Sequence, residues 1–289
     1  MSGVAPLLAL TGGSGFVGRH FAAAARRSGW RIRHLARRSP AGPEDEWRSF
    51  DLDTGEGADL TGCAALVHLA AYIPSDHRDL AAAERCWRIN ALGTLHLVDA
   101  AIRAGVGRIM QASSANAYAP TGRPPGEATP LFPRSRGYYL GSKVGQEIYA
   151  AERCRGEAVL LQTMRLASVY GPGQQSGALG LMMKAAASGE PICVHGGGAF
   201  GSDLVHVDDV ARAMLLLLGS GQAGAFNVGS GVRTTIAELA ELLSEQTGAP
   251  IVHEGRAEED WGFPALNIDR LKALGYQPRS LADGLSTLG

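Results

Sequence analysis

A glycine-rich segment near the amino terminus constrains the fold of this 289-residue chain more than any other feature. Residues 7–10 form an apolar run, and residues 11–18 (TGGSGFVG) follow directly and open a helical pattern that stops near Gly29. Glycines at this spacing allow a tight turn and let the N–H groups of a helix N-terminus approach a phosphate closely. The segment therefore predicts the phosphate-binding turn of a dinucleotide-binding βαβ unit.

The first half of the chain alternates short apolar runs with longer helical patterns, which is typical of a parallel sheet. Strands are predicted at 7–10, 32–36, 47–50, 65–69, 108–112 and 159–166, and helices at 15–27, 80–104 and 137–153. We therefore predict an α/β fold, a doubly wound parallel sheet of the Rossmann type. The elements become shorter after residue 169. We predict an NAD(P)-binding domain over 1–169 and a smaller C-terminal substrate-binding region over 170–289, interleaved with the first.

Composition excludes several classes of partner. The chain is 45% hydrophobic and its formal net charge is −1, so it lacks the electrostatic footprint of a protein that binds nucleic acid or an anionic membrane. It contains no apolar run of about 18 residues that would predict a transmembrane helix. Its four cysteines are far apart in sequence and have no metal-ligand spacing. We predict reduced thiols, no metal site and a cytoplasmic location.

A tyrosine and a lysine four residues apart form the candidate catalytic pair. Tyr139 and Lys143 lie on one face of a predicted helix, where the ammonium can stabilise the phenolate and lower the tyrosine pKa. Ser114 lies 25 residues before the tyrosine, at the end of a strand, where its hydroxyl can hydrogen-bond a substrate oxygen. Tyr138 is the rival tyrosine, but it points away from the face of the lysine. The pattern indicates proton transfer beside a hydride transfer between C–OH and C=O.

The end of the second predicted strand bears on the choice of cofactor. NAD-binding units of this kind place an acidic residue there to hold the ribose 2′-hydroxyl. Here the strand ends at Ala36, and Arg37 and Arg38 follow. Arginine suits a 2′-phosphate, so NADP(H) is favoured over NAD(H). Asp51, after the third strand, can accept from the adenine amine or simply cap a turn.

Several segments together resemble a known family. They are residues 11–18, 51–52, 68–71, 90–94, 113–118, 139–143, 165–173, 206–210 and 227–229. They are similar to the extended short-chain dehydrogenases/reductases of the NAD-dependent epimerase/dehydratase family, and the similarity covers nearly the whole chain. It implies a nucleotide-sugar substrate, a 4-epimerase or 4-ketoreductase type of reaction, and a homodimer formed through the helix that includes 92–101 and the helix of Tyr139. Leu97, Val144 and Ile148 are candidates for that contact.

The resemblance and the motifs assign roles to residues. The catalytic residues are Ser114, Tyr139 and Lys143. The cofactor-binding residues are Gly12, Gly15, Phe16, Val17, Gly18, Arg37, Arg38, Asp51, Leu52, Leu69, Ala70, Ala71, Asn90, Tyr139 and Lys143. The substrate-binding residues are Ser114, Ala115, Ser168 and Arg256. The residues interpreted as structural are His68, His206, Asp208 and Asp209.

Departures from the family pattern bear on the substrate. The family's 4,6-dehydratases have Asp and Glu after the catalytic Ser or Thr, and here those positions are Ala115 and Asn116. Dehydration is therefore not expected. Epimerases usually have an Asn where this chain has Ser168, and an Arg that binds the diphosphate where it has Ser202.

Two alternatives remain open. An NADPH-dependent reductase of a non-sugar carbonyl has no need of the diphosphate contacts that Ser168 and Ser202 fail to provide. A non-catalytic NADP-binding regulatory relative belongs to another functional class, and the intact set of Ser114, Tyr139 and Lys143 argues against it.

Overall fold

The computed structural model describes residues 5–39, 44–174, 177–256 and 261–287 and divides into two compact units. The first consists of Met1–Pro120, Glu127–Leu166 and Ala211–Phe226, and the second of Thr121–Gly126, Ala167–Val210 and Asn227–Gly289. Each unit is therefore built from separated stretches of sequence. The functional division predicted at residues 169 and 170 stays a prediction.

The chain forms short strands and helices in the following order. The strands are β1 (Leu7–Thr11), β2 (Arg31–Ala36), β3 (Glu46–Ser49), β4 (Cys63–His68), β5 (Arg108–Ser114), β6 (Leu160–Leu166), β7 (Ser168–Tyr170), β8 (Ile192–His195), β9 (Phe200–His206), β10 (Gly224–Val228), β11 (Arg233–Thr235), β12 (Ile251–Glu254) and β13 (Trp261–Gly262). The α-helices are α1 (Phe16–Arg27), α2 (Leu80–Cys86), α3 (Gly93–Arg103), α4 (Gly137–Cys154), α5 (Gly177–Ala187), α6 (Val207–Ser220), α7 (Ile236–Thr247), α8 (Asp269–Lys272) and α9 (Leu281–Leu285). A π turn covers Trp87–Leu92, and 3-10 turns cover Ala115–Ala117 and Gly196–Gly198.

A seven-stranded sheet is the centre of the first unit. Its strand order is β10-β6-β5-β4-β1-β2-β3. Strand β1 pairs in parallel with both β2 and β4, and the pairs β2–β3, β4–β5 and β5–β6 are also parallel. The order of the strands reverses between β1 and β4, where ligands of open α/β sheets bind. The predicted doubly wound fold is confirmed, and the glycine segment leaves the sheet at this switch point.

The apolar strands of the sheet are buried because helices cover them. Every residue of β1 is buried, and Leu66 of β4 and Ile109 of β5 are fully buried. Leu97 and Val98 of α3 pack into the same hydrophobic cluster. This continuous burial explains why these strands lack the alternating pattern of a half-exposed sheet.

The helix predicted over 80–104 is interrupted. The π turn separates α2 from α3 and contains one residue more than an α-helical turn. At its end Gly93 approaches the chain so closely that a side-chain carbon there would lie 2.2 Å from the Leu52 carbonyl oxygen. Only glycine fits this contact without moving the backbone.

The second unit has a hydrophobic cluster of its own, which includes Tyr170, Met182, Ile192, Leu239 and Leu285. Its larger sheet contains β9 with β7, β11 and β13 as partners, and β8 pairs with β12 in a separate sheet. Helix α7 begins with the expected cap, because the Thr235 hydroxyl accepts from the N–H of Glu238 and the Glu238 carboxylate accepts from the N–H of Thr235.

Neither membrane insertion nor disulfide bonding is indicated by the residues that the structure describes. Within those ranges no helix combines the length and the apolar character needed to cross a bilayer. The four cysteines are free thiols, and Cys63 and Cys86 are buried. The cytoplasmic location stays a prediction.

Two glycine substitutions should change stability in opposite directions. We expect Gly93→Ala to destabilise the chain by about 1–3 kcal/mol, because the new methyl group must displace the Leu52 carbonyl. Gly141→Ala, in α4, should stabilise it by about 0.5–1 kcal/mol, because a methyl group there meets no atom within 4 Å. Chemical denaturation of both variants measures the difference. Equal effects of the two substitutions would contradict this account.

Candidate active site

The glycine segment forms a tight loop that only glycine can build. Gly12 has a φ of +71°, and a side-chain carbon there would lie 2.6 Å from the Ala70 nitrogen. A carbon on Gly18 would lie 2.1 Å from the Gly12 carbonyl oxygen, which also accepts from the N–H of Gly15 at 2.9 Å. Helix α1 then begins at Phe16 with no acidic residue in its first turn. The loop and the helix N-terminus therefore fit a phosphate group.

A buried histidine connects this loop to the next strand and to α3. His68 Nδ1 lies 2.7 Å from Thr11 Oγ1, and His68 Nε2 lies 2.9 Å from Thr94 Oγ1. The Thr94 hydroxyl donates to the carbonyl of Asn90, so the hydrogen of the ring must be on Nε2 and Nδ1 accepts from Thr11. Burial, assisted by the charge of Lys143, lowers the pKa of His68 to about 3. The ring is therefore neutral, and these contacts give it a structural role.

The segment after β4 lies against the glycine loop. The N–H of Leu69 donates to the Thr11 carbonyl at 3.3 Å, and the N–H of Ala70 donates to Thr11 Oγ1 at 3.2 Å. Ala71 follows and is half-buried. The structure thus places the predicted cofactor-cleft residues of this segment next to the predicted phosphate site.

The ends of β2 and β3 carry the other predicted cofactor residues. Arg37 and Arg38 follow β2, are exposed, and donate no hydrogen bond to any residue that the structure describes. After β3, Asp51 accepts from the N–H of Asp53 at 2.9 Å, so its carboxylate caps a turn, while Leu52 is buried. The contact of Asp51 with adenine stays a prediction.

Asn90 joins the loop after β4 to α4. Its Oδ1 accepts from the N–H of Tyr72 at 2.7 Å, and its Nδ2 donates to the Tyr72 carbonyl at 2.9 Å and to Ser142 Oγ at 3.0 Å. The Ser142 hydroxyl donates in turn to the carbonyl of Tyr139 at 2.7 Å. One hydrogen of the Asn90 amide therefore holds the loop at Tyr72, and the other supports the helix of Tyr139 through Ser142. Its predicted contact with the cofactor stays a prediction.

Ser114 ends β5 and caps the short turn that follows. Its Oγ accepts from the N–H of Asn116 at 3.3 Å, which leaves its own hydrogen for another acceptor. The turn Ala115–Ala117 packs against α4, and Ala115 is buried. The turn that Ser114 caps therefore packs against the helix that carries Tyr139 and Lys143.

The two tyrosines of α4 differ in their surroundings. Tyr138 is 38% exposed, whereas Tyr139 is half-buried, and Lys143 on the next turn is only 3% exposed. Burial raises the pKa of Tyr139 to about 12 and lowers the pKa of Lys143 to about 7. The structure does not show the predicted lowering of the Tyr139 pKa by Lys143, because burial raises that pKa and the Lys143 ammonium donates to Gln146 Oε1.

The cation that acts on Tyr139 in the structure is Arg136, which the sequence analysis did not single out. Its charge lowers the tyrosine pKa and partly opposes the effect of burial. Arg136 has a φ of +48° and is the only non-glycine residue with left-handed backbone among those described. Such strain in a residue other than glycine is often found at functional sites.

The remaining predicted substrate residues belong to the second unit. Ser168 lies in β7, opposite Leu204 of β9, and Arg256 is exposed. In the same unit His206 Nε2 lies 3.1 Å from Thr287 Oγ1, and Asp209 accepts from the backbone and the guanidinium of Arg279. These contacts give His206 and Asp209 structural partners, as expected.

Comparison with known proteins places the chain among its relatives. The model of the NAD dependent epimerase/dehydratase family matches residues 8–229. The chain belongs to this family. A dTDP-glucose 4,6-dehydratase of an Actinoplanes species is 30% identical over 96% of this chain and 94% of that protein. A UDP-glucose 4-epimerase of Mycolicibacterium smegmatis is 31% identical over 79% of this chain and 78% of that protein.

Solved structures of family members have the same fold. MoeE5 in complex with UDP-glucuronic acid and NAD matches with a TM-score of 0.85 and 28% identity over 97% of both chains. The UDP-glucose 4-epimerase of Thermotoga maritima with UDP-glucose matches with a TM-score of 0.85 and 26% identity over 97% of this chain and 96% of that one. The predicted resemblance and the assignment as an enzyme of the extended short-chain dehydrogenase/reductase type are confirmed.

Proposed function

We propose that this family member transfers hydride at a hydroxyl or keto carbon of a nucleotide-linked sugar. The observation that carries the proposal is the position of Lys143, which is buried in α4 one turn after Tyr139. Its neighbour Ser142 accepts from Asn90, and Thr94 connects the Asn90 carbonyl to His68. His68 contacts Thr11, the last residue before the glycine loop. A cation, a proton donor and a phosphate site therefore occur together in one compact unit.

Each of the three catalytic residues has a separate role in this proposal. Tyr139 passes the proton to or from the substrate oxygen, and Ser114 donates a hydrogen bond that holds the same oxygen. Lys143 supplies the positive charge that stabilises the tyrosine anion when Tyr139 has given up its proton. A nicotinamide dinucleotide supplies the hydride chemistry when it is bound at the glycine loop.

Two types of reaction at the sugar are consistent with these residues. The relatives named above as 4-epimerases favour 4-epimerisation, and the arginines after β2 favour a ketoreductase that exchanges NADPH. An epimerase regenerates its cofactor in every turnover and consumes none overall. A ketoreductase consumes one NADPH for each product molecule, so the amount of cofactor consumed per product separates the two reactions. Dehydration is not proposed, although one relative is named a dehydratase, because Ala115 and Asn116 provide no carboxylate for the additional proton transfers.

Tyr139→Phe tests the proposal directly. A panel of nucleotide sugars is first screened by melting temperature, since a ligand at about 100 times its Kd adds about 3 kcal/mol to stability. On a sugar that the wild type converts, the variant should lose about 10²–10⁴-fold in turnover while it keeps its fold and its cofactor affinity. The substitution removes one oxygen and keeps the ring, so the cost in packing should be small.

Tyr138→Phe is the matched control and should retain nearly full turnover, because its side chain is more exposed and lies five residues before Lys143, off the helix face that Tyr139 and Lys143 share. Lys143→Met should abolish turnover and also weaken cofactor binding, since the resemblance implies that this lysine contacts the cofactor. Loss of activity in Tyr138→Phe with retained activity in Tyr139→Phe would refute the assignment. Absence of a melting response to every nucleotide sugar in the panel would favour the non-sugar carbonyl.

The cofactor that we propose for this chain is NADP(H). The solved relatives named above include one with NAD, but at the end of β2 this chain has Ala36 instead of an acidic residue. Arg37 and Arg38 follow and are exposed, and the pKa of nearby Asp53 is lowered mainly by its hydrogen bond from Arg88, with a smaller contribution from the charge of Arg37. Arg88 already pairs with that carboxylate through two hydrogen bonds, so Arg37 is available for a phosphate.

Arg37→Glu should weaken NADP(H) binding by roughly 1–3 kcal/mol, the size of a lost charge-assisted hydrogen bond together with the new repulsion. NAD(H), which lacks the 2′-phosphate, is the internal control, and its affinity should change much less. Fluorescence titration of both cofactors on both proteins measures the effect. Tighter binding of NAD(H) than of NADP(H) to the wild type would refute the preference.

A homodimer is the proposed assembly, and it rests on the family resemblance and on exposed apolar residues. Ile148 of α4 is 59% exposed and Trp87 of the π turn is 42% exposed, while Val144 is half-buried. Leu97, the third candidate named from the sequence, is 1% exposed and belongs to the hydrophobic cluster under the sheet. It is therefore unavailable for a contact between subunits.

Ile148→Glu should convert the dimer to a monomer, because a charge would be buried in the apolar contact. Leu181→Glu is the control, since Leu181 is 64% exposed and lies in the second unit. Light scattering at micromolar concentration measures the mass of each protein. A monomeric wild type, or dissociation by the control alone, would remove this proposal.

A further inference from the structure

A chain of buried polar side chains leads from the sheet to the active-site lysine. Lys143 Nζ donates to Gln146 Oε1. Gln146 Nε2 donates to Gln111 Oε1 at 3.0 Å and to the Ala112 carbonyl at 3.2 Å, and Gln111 Nε2 donates to Thr163 Oγ1 at 2.9 Å. Both glutamines are fully buried, so each lost hydrogen bond would leave a polar group without water to replace it.

The donor-to-acceptor direction of these hydrogen bonds determines whether the oxygen or the nitrogen of the Gln146 amide faces Lys143. Its amide nitrogen has two acceptors, the Gln111 side chain and the Ala112 carbonyl. If the amide were reversed, its NH₂ group would face the ammonium and its oxygen would face two other oxygens. The Ala112 carbonyl can only accept, so it fixes the Gln146 nitrogen on that side and leaves the Gln146 oxygen for Lys143. Gln111 then turns its own oxygen toward Gln146 and its nitrogen toward the Thr163 hydroxyl, which can accept.

We propose that Gln146 is a positioning residue for Lys143. The Gln146 side-chain oxygen, oriented by the Ala112 carbonyl and by Gln111, holds the Lys143 ammonium in place and keeps it protonated. The inference rests on the proposed function, in which Lys143 must be charged when Tyr139 passes its proton. Gln146 acts only through Lys143 and contacts neither the tyrosine nor the substrate oxygen in this assignment.

The other groups that face Lys143 do not replace this acceptor. Glu147, on the same helix, raises the lysine pKa by its charge, but its carboxylate is hydrogen-bonded by the guanidinium of Arg165 from β6. His68 on β4 is neutral, and Tyr139 is protonated at neutral pH. Among the described residues, the Gln146 oxygen is the one acceptor that the Lys143 ammonium contacts. It therefore opposes the effect of burial, which favours the uncharged amine.

The test measures the pKa of Lys143 directly, because the chain has only three lysines, Lys143, Lys184 and Lys272. The full-length protein is labelled with ¹³C-lysine, and the side-chain resonances are assigned with Lys184→Arg and Lys272→Arg and followed by NMR as a function of pH. Gln146→Leu should lower the Lys143 pKa by about one to two units, the size of a charge-assisted hydrogen bond. Gln146→Glu should raise it by a similar amount, because a carboxylate favours the ammonium.

Two further variants separate positioning from a general loss of packing. Gln111→Leu keeps the acceptor of Lys143 but releases the Gln146 amide, so it should lower the lysine pKa by less than Gln146→Leu does. Gln162→Leu is the matched control, since Gln162 is also fully buried and donates to the carbonyls of Leu217 and Gln222, away from this chain. It should destabilise the fold without moving the Lys143 pKa.

The proposal would be overturned if Lys143 had the same pKa in the wild type, in Gln146→Leu and in Gln146→Glu. It would also be overturned if the control Gln162→Leu shifted the Lys143 pKa as much as Gln146→Leu does. If Gln146→Leu does not fold, Gln146→Glu and Gln111→Leu decide the question by shifts in opposite directions. On a converted substrate, the basic limb of the kcat profile should move to lower pH in Gln146→Leu and to higher pH in Gln146→Glu, with KM unchanged. The NMR titration needs no substrate, so its result stands apart from a failure of the proposed function.

Discussion

The hydrogen bonds of one neutral imidazole connect the parts of the site. His68 accepts from Thr11 and donates to Thr94, and Thr94 donates to the carbonyl of Asn90. Burial keeps the ring neutral, so Nδ1 remains an acceptor for the Thr11 hydroxyl. Through these contacts the strand before the glycine loop, the strand that leads to the cofactor cleft, and the π turn keep a common geometry. The rest of the active site is built around this connection.

A second chain of hydrogen bonds passes from Lys143 through Gln146 to Gln111. Both chains consist of neutral groups whose dipoles have a single allowed direction, so they create a preorganised polar environment inside an apolar core. Burial of an ammonium is unfavourable in itself, and it lowers the pKa of Lys143 toward neutral pH. A charge that is poorly solvated acts strongly on its neighbours. In the proposed function, this poorly solvated charge would act on the anion of Tyr139.

The fold could be predicted from the sequence because it depends on local patterns, whereas the roles assigned to the site residues stay predictions. The glycine loop requires glycine at Gly12 and Gly18 for steric reasons, and the buried parallel strands require continuous apolar runs. The partner of Lys143 was not predicted, since it depends on the contact between α4 and β5 and on the direction of two amides. A signal was available in Gln111, a polar residue that directly follows the buried apolar pair Ile109 and Met110 in β5. Arg136 gave no signal, because the left-handed backbone at this position follows from the way the chain enters α4.

The π turn has a consequence for comparing this chain with its relatives. Each residue of a regular helix advances about 100° around the axis, and a π turn absorbs one extra residue without changing the faces on either side. A relative that lacks the extra residue between α2 and α3 would need a one-residue gap in the alignment at Trp87–Leu92. Without that gap, every position before or after the turn would be assigned to a neighbouring face of the helix. The amide of Asn90 would then be equated with a side chain that points away from Tyr72.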